Sequence, residues 1–150
     1  MGGRASADPS AKGARVVVRI LIADAYEVVR TGLQRIVETQ SSWEVVAVAG
    51  DGKEAIQKAI ETKPDVAVIG YRLPLINGIE VTRQIRARLP KTEVLIFTVH
   101  DDEAVITQLL QAGARGFLFK SDANGELIAA IEALARPARS LACAPGCRDR

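Results

Sequence analysis

Five short apolar runs alternate with five amphipathic stretches between Val16 and Ala135, and this rhythm constrains the fold more than any single residue. The runs are VVVRILI (16–22), EVVAVA (44–49), VAVI (66–69), EVLIF (93–97) and GFLF (116–119). Each is short, rich in β-branched or aromatic residues, and nearly continuous rather than alternating. Strands buried on both faces of a parallel sheet have this texture.

The stretches between them carry helical spacing. In 26–39, Val29, Leu33, Ile36 and Val37 fall on one face. Asp51 and Glu54 form an Asp-x-x-Glu start signal for 52–62, with Pro64 just past its end. A third helix, 78–89, is stopped by Pro90 and preceded by an Asn77–Gly78 turn after Pro74. Asp101 and Asp102 open 102–112, which Gly113 closes, and Asp122 opens 123–135. Strand–helix alternation of this kind predicts an α/β fold, (βα)₅, with an open parallel sheet and helices on both faces.

Charge divides the chain into three parts. Residues 1–19 carry a net +3, residues 136–150 another +3, and the 116 residues between them −4, within a total of +2. The expected organisation is a basic disordered tail (1–15), one domain (16–135) and a second basic tail (136–150). A single core of this size buries roughly two-thirds of the unfolded chain's surface, so neither disulfide nor metal is needed for stability. No apolar run reaches membrane-spanning length, and MGGRASADPSAKGAR lacks the apolar centre of a secretory signal. Cys143 and Cys147 lie together in the last tail, and His100 is the only histidine, so a four-ligand zinc site is not expected. Two reduced thiols and a cytoplasmic address follow.

In an open α/β sheet, ligands bind beyond the carboxyl ends of the strands, where the strand order reverses. That rule selects Asp24 and Ala25 after the first strand and Gly70–Tyr71–Arg72 after the third. It also selects Thr98 after the fourth and Lys120 after the fifth. A carboxylate, a hydroxyl and an ammonium then converge from separate parts of the chain.

These residues, with RILIADAYEVVRTGL, PDVAVIGYRLPLINGIEVTRQIR, EVLIFTVHDDE and LLQAGARGFLFKSDANGELIAAI around them, make the chain resemble a bacterial response-regulator receiver domain. The likeness is to the CheY-like module of two-component systems, in the texture of the NarL/FixJ/LuxR-type subfamily. It implies a flavodoxin-like sheet order of 2-1-3-4-5. It also implies an acceptor aspartate after the third strand, a pair of acids after the first that hold Mg²⁺, and a Thr and Lys that contact the phosphoryl group. Thr98 and Lys120 match the last two, Asp24 matches the first acid, and Phe117 matches the aromatic that moves with the Thr on activation.

Two positions depart from the pattern. Ala25 stands where the second acid belongs, and Gly70 where the acceptor aspartate belongs. The resemblance gives the metal three ligands: the second acid, the acceptor, and the main-chain carbonyl of Arg72. Ala25 and Gly70 supply no side-chain oxygen, so no cofactor is expected and Mg²⁺ binding should be lost or weak. Aspartyl phosphorylation needs a carboxylate nucleophile, which Gly70 cannot provide. Asp65 precedes its strand and belongs at the opposite edge of the sheet. The pocket charge rises from −2 to zero, or higher with Arg72 nearby, and a Lys120–Asp24 contact is expected to replace the metal.

The chain is therefore expected to be a pseudo-receiver with no enzymatic activity, acting through protein partners. Their docking surface would be the face of the fourth helix, fifth strand and fifth helix, or that of the first and fifth helices, with a homodimer among the options. His100, Asp101, Asp102 and Glu103 edge the former face or simply form a solvated helix start. An alternative is a module regulated by a small molecule or anion near Gly70, Thr98 and Lys120. A third is a fragment of a DNA-binding regulator. Yet 136–150 is too short and Pro-interrupted for a further domain, and the tails lack the aromatic interleaving of a specific nucleic-acid reader. Tyr26 is placed to fold over the pocket, and Trp43 to pack at the entry of the second strand.

Overall fold

The computed structural model of the protein describes residues 18–98, 103–119 and 123–135. Strands and helices alternate along it: β1 (Val18–Ala23), α1 (Glu27–Glu38), β2 (Trp43–Ala49), α2 (Gly52–Thr62), β3 (Val66–Gly70), α3 (Gly78–Arg88), β4 (Glu93–Thr98), α4 (Glu103–Ala112), β5 (Gly116–Phe119) and α5 (Ala123–Ala135). All strand pairs are parallel and the order is β2-β1-β3-β4-β5, as the resemblance implied.

Period-2 alternation of the strand side chains builds two cores on one sheet. Ile20, Ile22, Val66, Val68, Leu95 and Phe97 point to the side covered by Leu33 and Val37 of α1 and by Leu127 and Ile131 of α5. Leu21, Ala23, Ala67, Ile69, Val94 and Ile96 point to the other side, covered by Ala55, Ile56 and Ala59 of α2, Val81 and Ile85 of α3, and Leu109 of α4. A strand with helices on both faces has no polar side, and the continuous apolar runs of β1, β3 and β4 follow from that.

β2 and β5 differ from this reading. They are the outer strands, and most of their residues are only half-buried. Trp43 packs, half-buried, against the α1–α5 side, as expected.

Helix starts and stops follow local chemistry. Asp51 Oδ1 accepts the Glu54 N–H at 2.7 Å, and Glu54 Oε1 accepts the Gly50 N–H at 2.8 Å. The start signal at α2 thus becomes a reciprocal cap, shifted by one residue from the usual box. Asn77 Oδ1 caps α3 through the Glu80 N–H at 3.1 Å. After α4 the chain turns at Gly113 with φ +114°, a conformation that favours glycine. Asp65 lies at the amino-terminal edge of β3, accepting the Arg19 N–H at 2.8 Å, on the far side from the strand ends that matter below.

Candidate functional site

The strand order reverses at β1 and β3, and register places the key residues there side by side. Ala23 pairs with Ile69, so the next residues, Asp24 and Gly70, leave the sheet together. Gly70 pairs with Phe97, which sets Thr98 one step beyond on the adjacent strand. Asp24, Gly70 and Thr98 are all buried, Asp24 at 2% and Thr98 at 3% exposure.

A buried carboxylate must be hydrogen-bonded to be tolerated. Asp24 Oδ1 accepts the Tyr26 N–H at 2.9 Å, and its own N–H donates to Ala49 O at 3.1 Å. Oδ2 lies against Gly70: a Cβ built on that glycine would be 2.8 Å from it. The carboxylate therefore occupies the space that any side chain at position 70 would enter.

Arg30 of α1 donates to the main-chain oxygen of Asp24 at 2.7 Å and fixes the turn from outside. Tyr26 contributes its main-chain N–H, while its side chain is 65% exposed.

The loop from Tyr71 to Asn77 forms the other wall. Pro74 O accepts N–H groups from Gly52 at 3.0 Å and from Ile76 at 2.8 Å. The second bond makes a tight three-residue turn about Leu75, whose φ is +72°. The Gly78 N–H donates to Tyr71 O at 2.8 Å. A Cβ at residue 78 would meet Gly70 O at 2.8 Å, so only glycine lets the start of α3 approach β3 this closely. Between this loop and the β1–α1 turn lies an open cleft of about 490 Å³, lined by Ala25, Tyr71, Arg72, Leu73, Pro74 and Asn77.

Of the residues selected from sequence, Asp24, Gly70 and Thr98 are thus gathered at neighbouring strand ends, with Ala25 and Arg72 lining the cleft beside them. Phe117 is half-buried in β5 against the α2–α3–α4 side. Lys120 lies outside the described residues, and with it the expected Lys120–Asp24 contact. His100, Asp101, Asp102, Asp122, Cys143, Cys147 and both tails lie outside them too. Among the described residues there is no cluster of three or more His, Cys, Asp or Glu, and no helix is long and apolar enough to cross a membrane.

Sequence reasoning missed Arg30 and the seat at Gly78. Arg30 gave no signal, because a basic residue in the first turns of a helix reads as solvated. The Asn77–Gly78 pair was visible as a turn, but its contact with Gly70 depends on the folded loop.

The Gly50 N–H, then Lys58, hold the Glu54 carboxyl below its usual range. Lys58 Nζ lies 3.0 Å from Glu54 and also donates to Val48 O at 2.7 Å, bracing the carboxyl end of β2.

The comparisons with known proteins agree with this geometry. Residues 20–132 match the response regulator receiver domain family. The oxygen regulatory protein NreC of Staphylococcus epidermidis is 40% identical over 115 residues, covering 76% of this chain and 53% of that protein. The transcriptional regulatory protein DegU of Brevibacillus brevis is 35% identical over 119 residues, covering 79% and 50%. This chain spans about half the length of these curated relatives. The crystal structure of a LuxR-family two-component response regulator from Aurantimonas sp. SI85-9A1 superposes with a TM-score of 0.75 at 39% identity, over 79% of this chain and 85% of that one. The signal receiver domain of the putative response regulator NarL from Mycobacterium tuberculosis gives 0.70 at 33% identity, over 78% and 98%. Fold and sequence agree: the chain belongs to the response regulator receiver domain family of two-component systems.

Proposed function

We propose that this chain is a receiver module without phosphoryl control, signalling through protein contact rather than through an aspartyl phosphate. The observation that carries the reading is Gly70 at the end of β3, with Asp24 Oδ2 filling the space a side chain there would need. Glycine offers no nucleophile for phosphoryl transfer. Among the described residues Asp24 is the carboxylate beside it, but it is buried and turned toward the backbone.

The donor set does not fit Mg²⁺. The ion wants near-octahedral oxygen ligands with one or two carboxylates. Ala25 and Gly70 contribute none, and Asp24 Oδ1 is engaged by the Tyr26 N–H. No step is therefore routed through a metal, and no enzymatic activity is assigned.

Receiver domains of response regulators are signalling modules that work through partner proteins. For this chain the proposed docking faces are α4–β5–α5 or α1 with α5, toward a partner or a second copy. Val28 on α1 and Leu110 on α4 support both faces, as large apolar side chains left exposed. The printed names of the relatives support a place in transcriptional regulation; a cytoplasmic location and no specific nucleic-acid binding by this chain itself belong to the same reading. Regulation by a small anion in place of phosphate is the second reading, favoured by the cleft beside Ala25 and Arg72.

Mn²⁺ titration followed by amide NMR tests the proposal. The expected result is no selective broadening at Ala25, Tyr71 or Arg72. Saturable broadening centred on Asp24 would contradict it.

A further inference from the structure

We propose that Glu93 is a clasp that ties the α4–β5 corner to the body of the domain and sets how readily that corner opens by itself. The clasp sits at the amino-terminal edge of the sheet, away from Asp24 and Gly70, and is independent of phosphoryl chemistry there. The corner it holds belongs to the α4–β5–α5 docking face.

Burial makes this corner the lightly held part of the fold. Among the described residues Leu109 is the one buried side chain of α4, and β5 buries only Leu118. α2 and α3 bury four residues each. β5 is also four residues long and pairs with β4 alone. Segments with few buried apolar groups open before the core does.

The two elements are joined without slack. The Gly113 N–H donates to Leu110 O, the Ala114 N–H to Leu109 O and the Arg115 N–H to Val94 O, each at 3.0 Å. Movement of the end of α4 therefore carries the start of β5 with it. Gly113 rests on α3, where a Cβ would stand 2.7 Å from Arg86 Cγ.

One carboxylate links this corner to its surroundings. Glu93, the first residue of β4, lies 3.7 Å from the Arg86 guanidinium and 3.6 Å from that of Arg115. Arg86 is anchored, because its Nη1 also donates to the main-chain oxygens of Pro90 and Thr92. Arg115 belongs to the corner, and its side chain is 59% exposed. Glu93 Oε1, meanwhile, is buried and accepts no hydrogen bond from the protein. Closing gains charge attraction but leaves that oxygen unsatisfied, and opening returns it to water. These effects oppose each other, so the contact is poised to open, whereas a fully hydrogen-bonded pair would be a fixed strut.

Native-state amide hydrogen exchange of the full chain, followed by NMR, is the test. In the natural chain Ala114 and Arg115 should be less protected than Leu21 and Val68, which open only with the whole fold. Glu93→Gln should lower protection of Ala114 and Arg115 about fivefold or more beyond any change at Leu21 and Val68. Arg115→Gln, at an exposed position, should lower protection of Ala114 about twofold or more. Adding it to Glu93→Gln should change little further, because the pair is already broken. A loss shared equally by corner and core would make Glu93 an ordinary stabilising contact and overturn the proposal. Unchanged protection at the corner, or effects of the two substitutions that multiply in full, would overturn it too.

Discussion

The Asp24 carboxylate fills the side-chain space of Gly70: a Cβ on the glycine would stand 2.8 Å from Oδ2. Asp24 is also fixed by the Tyr26 N–H and, through its main-chain oxygen, by Arg30, so the two positions form a coupled pair. Gly70→Ala should therefore destabilise the fold by about 1–3 kcal/mol, the usual cost of overpacking. In an Asp24→Ala background the same change should cost far less, leaving a coupling energy of about 0.5–3 kcal/mol. Urea unfolding of the four proteins measures this directly.

Restoring metal binding requires both missing acids. Ala25→Asp with Gly70→Asp should recover divalent-cation binding, because the ion then compensates the crowded carboxylates and draws Asp24 off the backbone. Gly70→Asp alone places a carboxylate against Asp24 with no second acid to share a cation, and should not recover it. Mn²⁺ affinity, at least about tenfold tighter in the double variant than in Gly70→Asp, is the measurement.

Much of this arrangement was legible in the sequence. The five apolar runs reported the fold because strands under two layers of helix have no polar face. The departures at 25 and 70 were visible only through the resemblance to receiver domains, whose pattern places acids at those strand ends. What the sequence concealed depends on three-dimensional register. Nothing in EVVAVA itself distinguishes an outer strand from a central one; only the sheet order implied by the resemblance places β2 at the edge, where most of its residues are half-buried. The inward turn of Asp24 follows from Ala23 pairing with Ile69 and from the vacancy at Gly70 together, and neither residue shows it alone. Thr92 is buried and donates to Pro64 O at 2.6 Å, joining the entries to β3 and β4, a contact that only the folded chain creates.

Asn77 holds the entrance of α3 beside the cleft. Asn77→Ala should cost about 1 kcal/mol through loss of its bond to the Glu80 N–H. Asn77→Asp keeps the acceptor and places negative charge at a helix start, so its stability should match or exceed that of the natural residue. Thermal unfolding of the two variants separates the cap from any other role of the side chain.

Glu54 gives the fold a defined acid response. The Gly50 N–H and Lys58 lower its carboxyl below the ordinary value of 4.5. Its stabilising contribution is therefore complete above that value and is lost as the pH falls through the lower, folded-state value. Glu54→Gln should be less stable than the natural chain at neutral pH, and the gap should shrink on acidification. Denaturation midpoints of both proteins across that range show the convergence; a gap independent of pH would assign the effect to packing.

Intact-mass spectrometry after incubation with acetyl phosphate and Mg²⁺ tests the absence of phosphoryl control most directly. Gly70 predicts that the natural chain gains no phosphoryl group, at any incubation time, under conditions that modify an ordinary receiver run alongside it. An acid-stable, base-labile phosphoryl adduct is not needed to refute this. Any adduct that maps to Asp24 or another strand-end carboxylate would contradict the account.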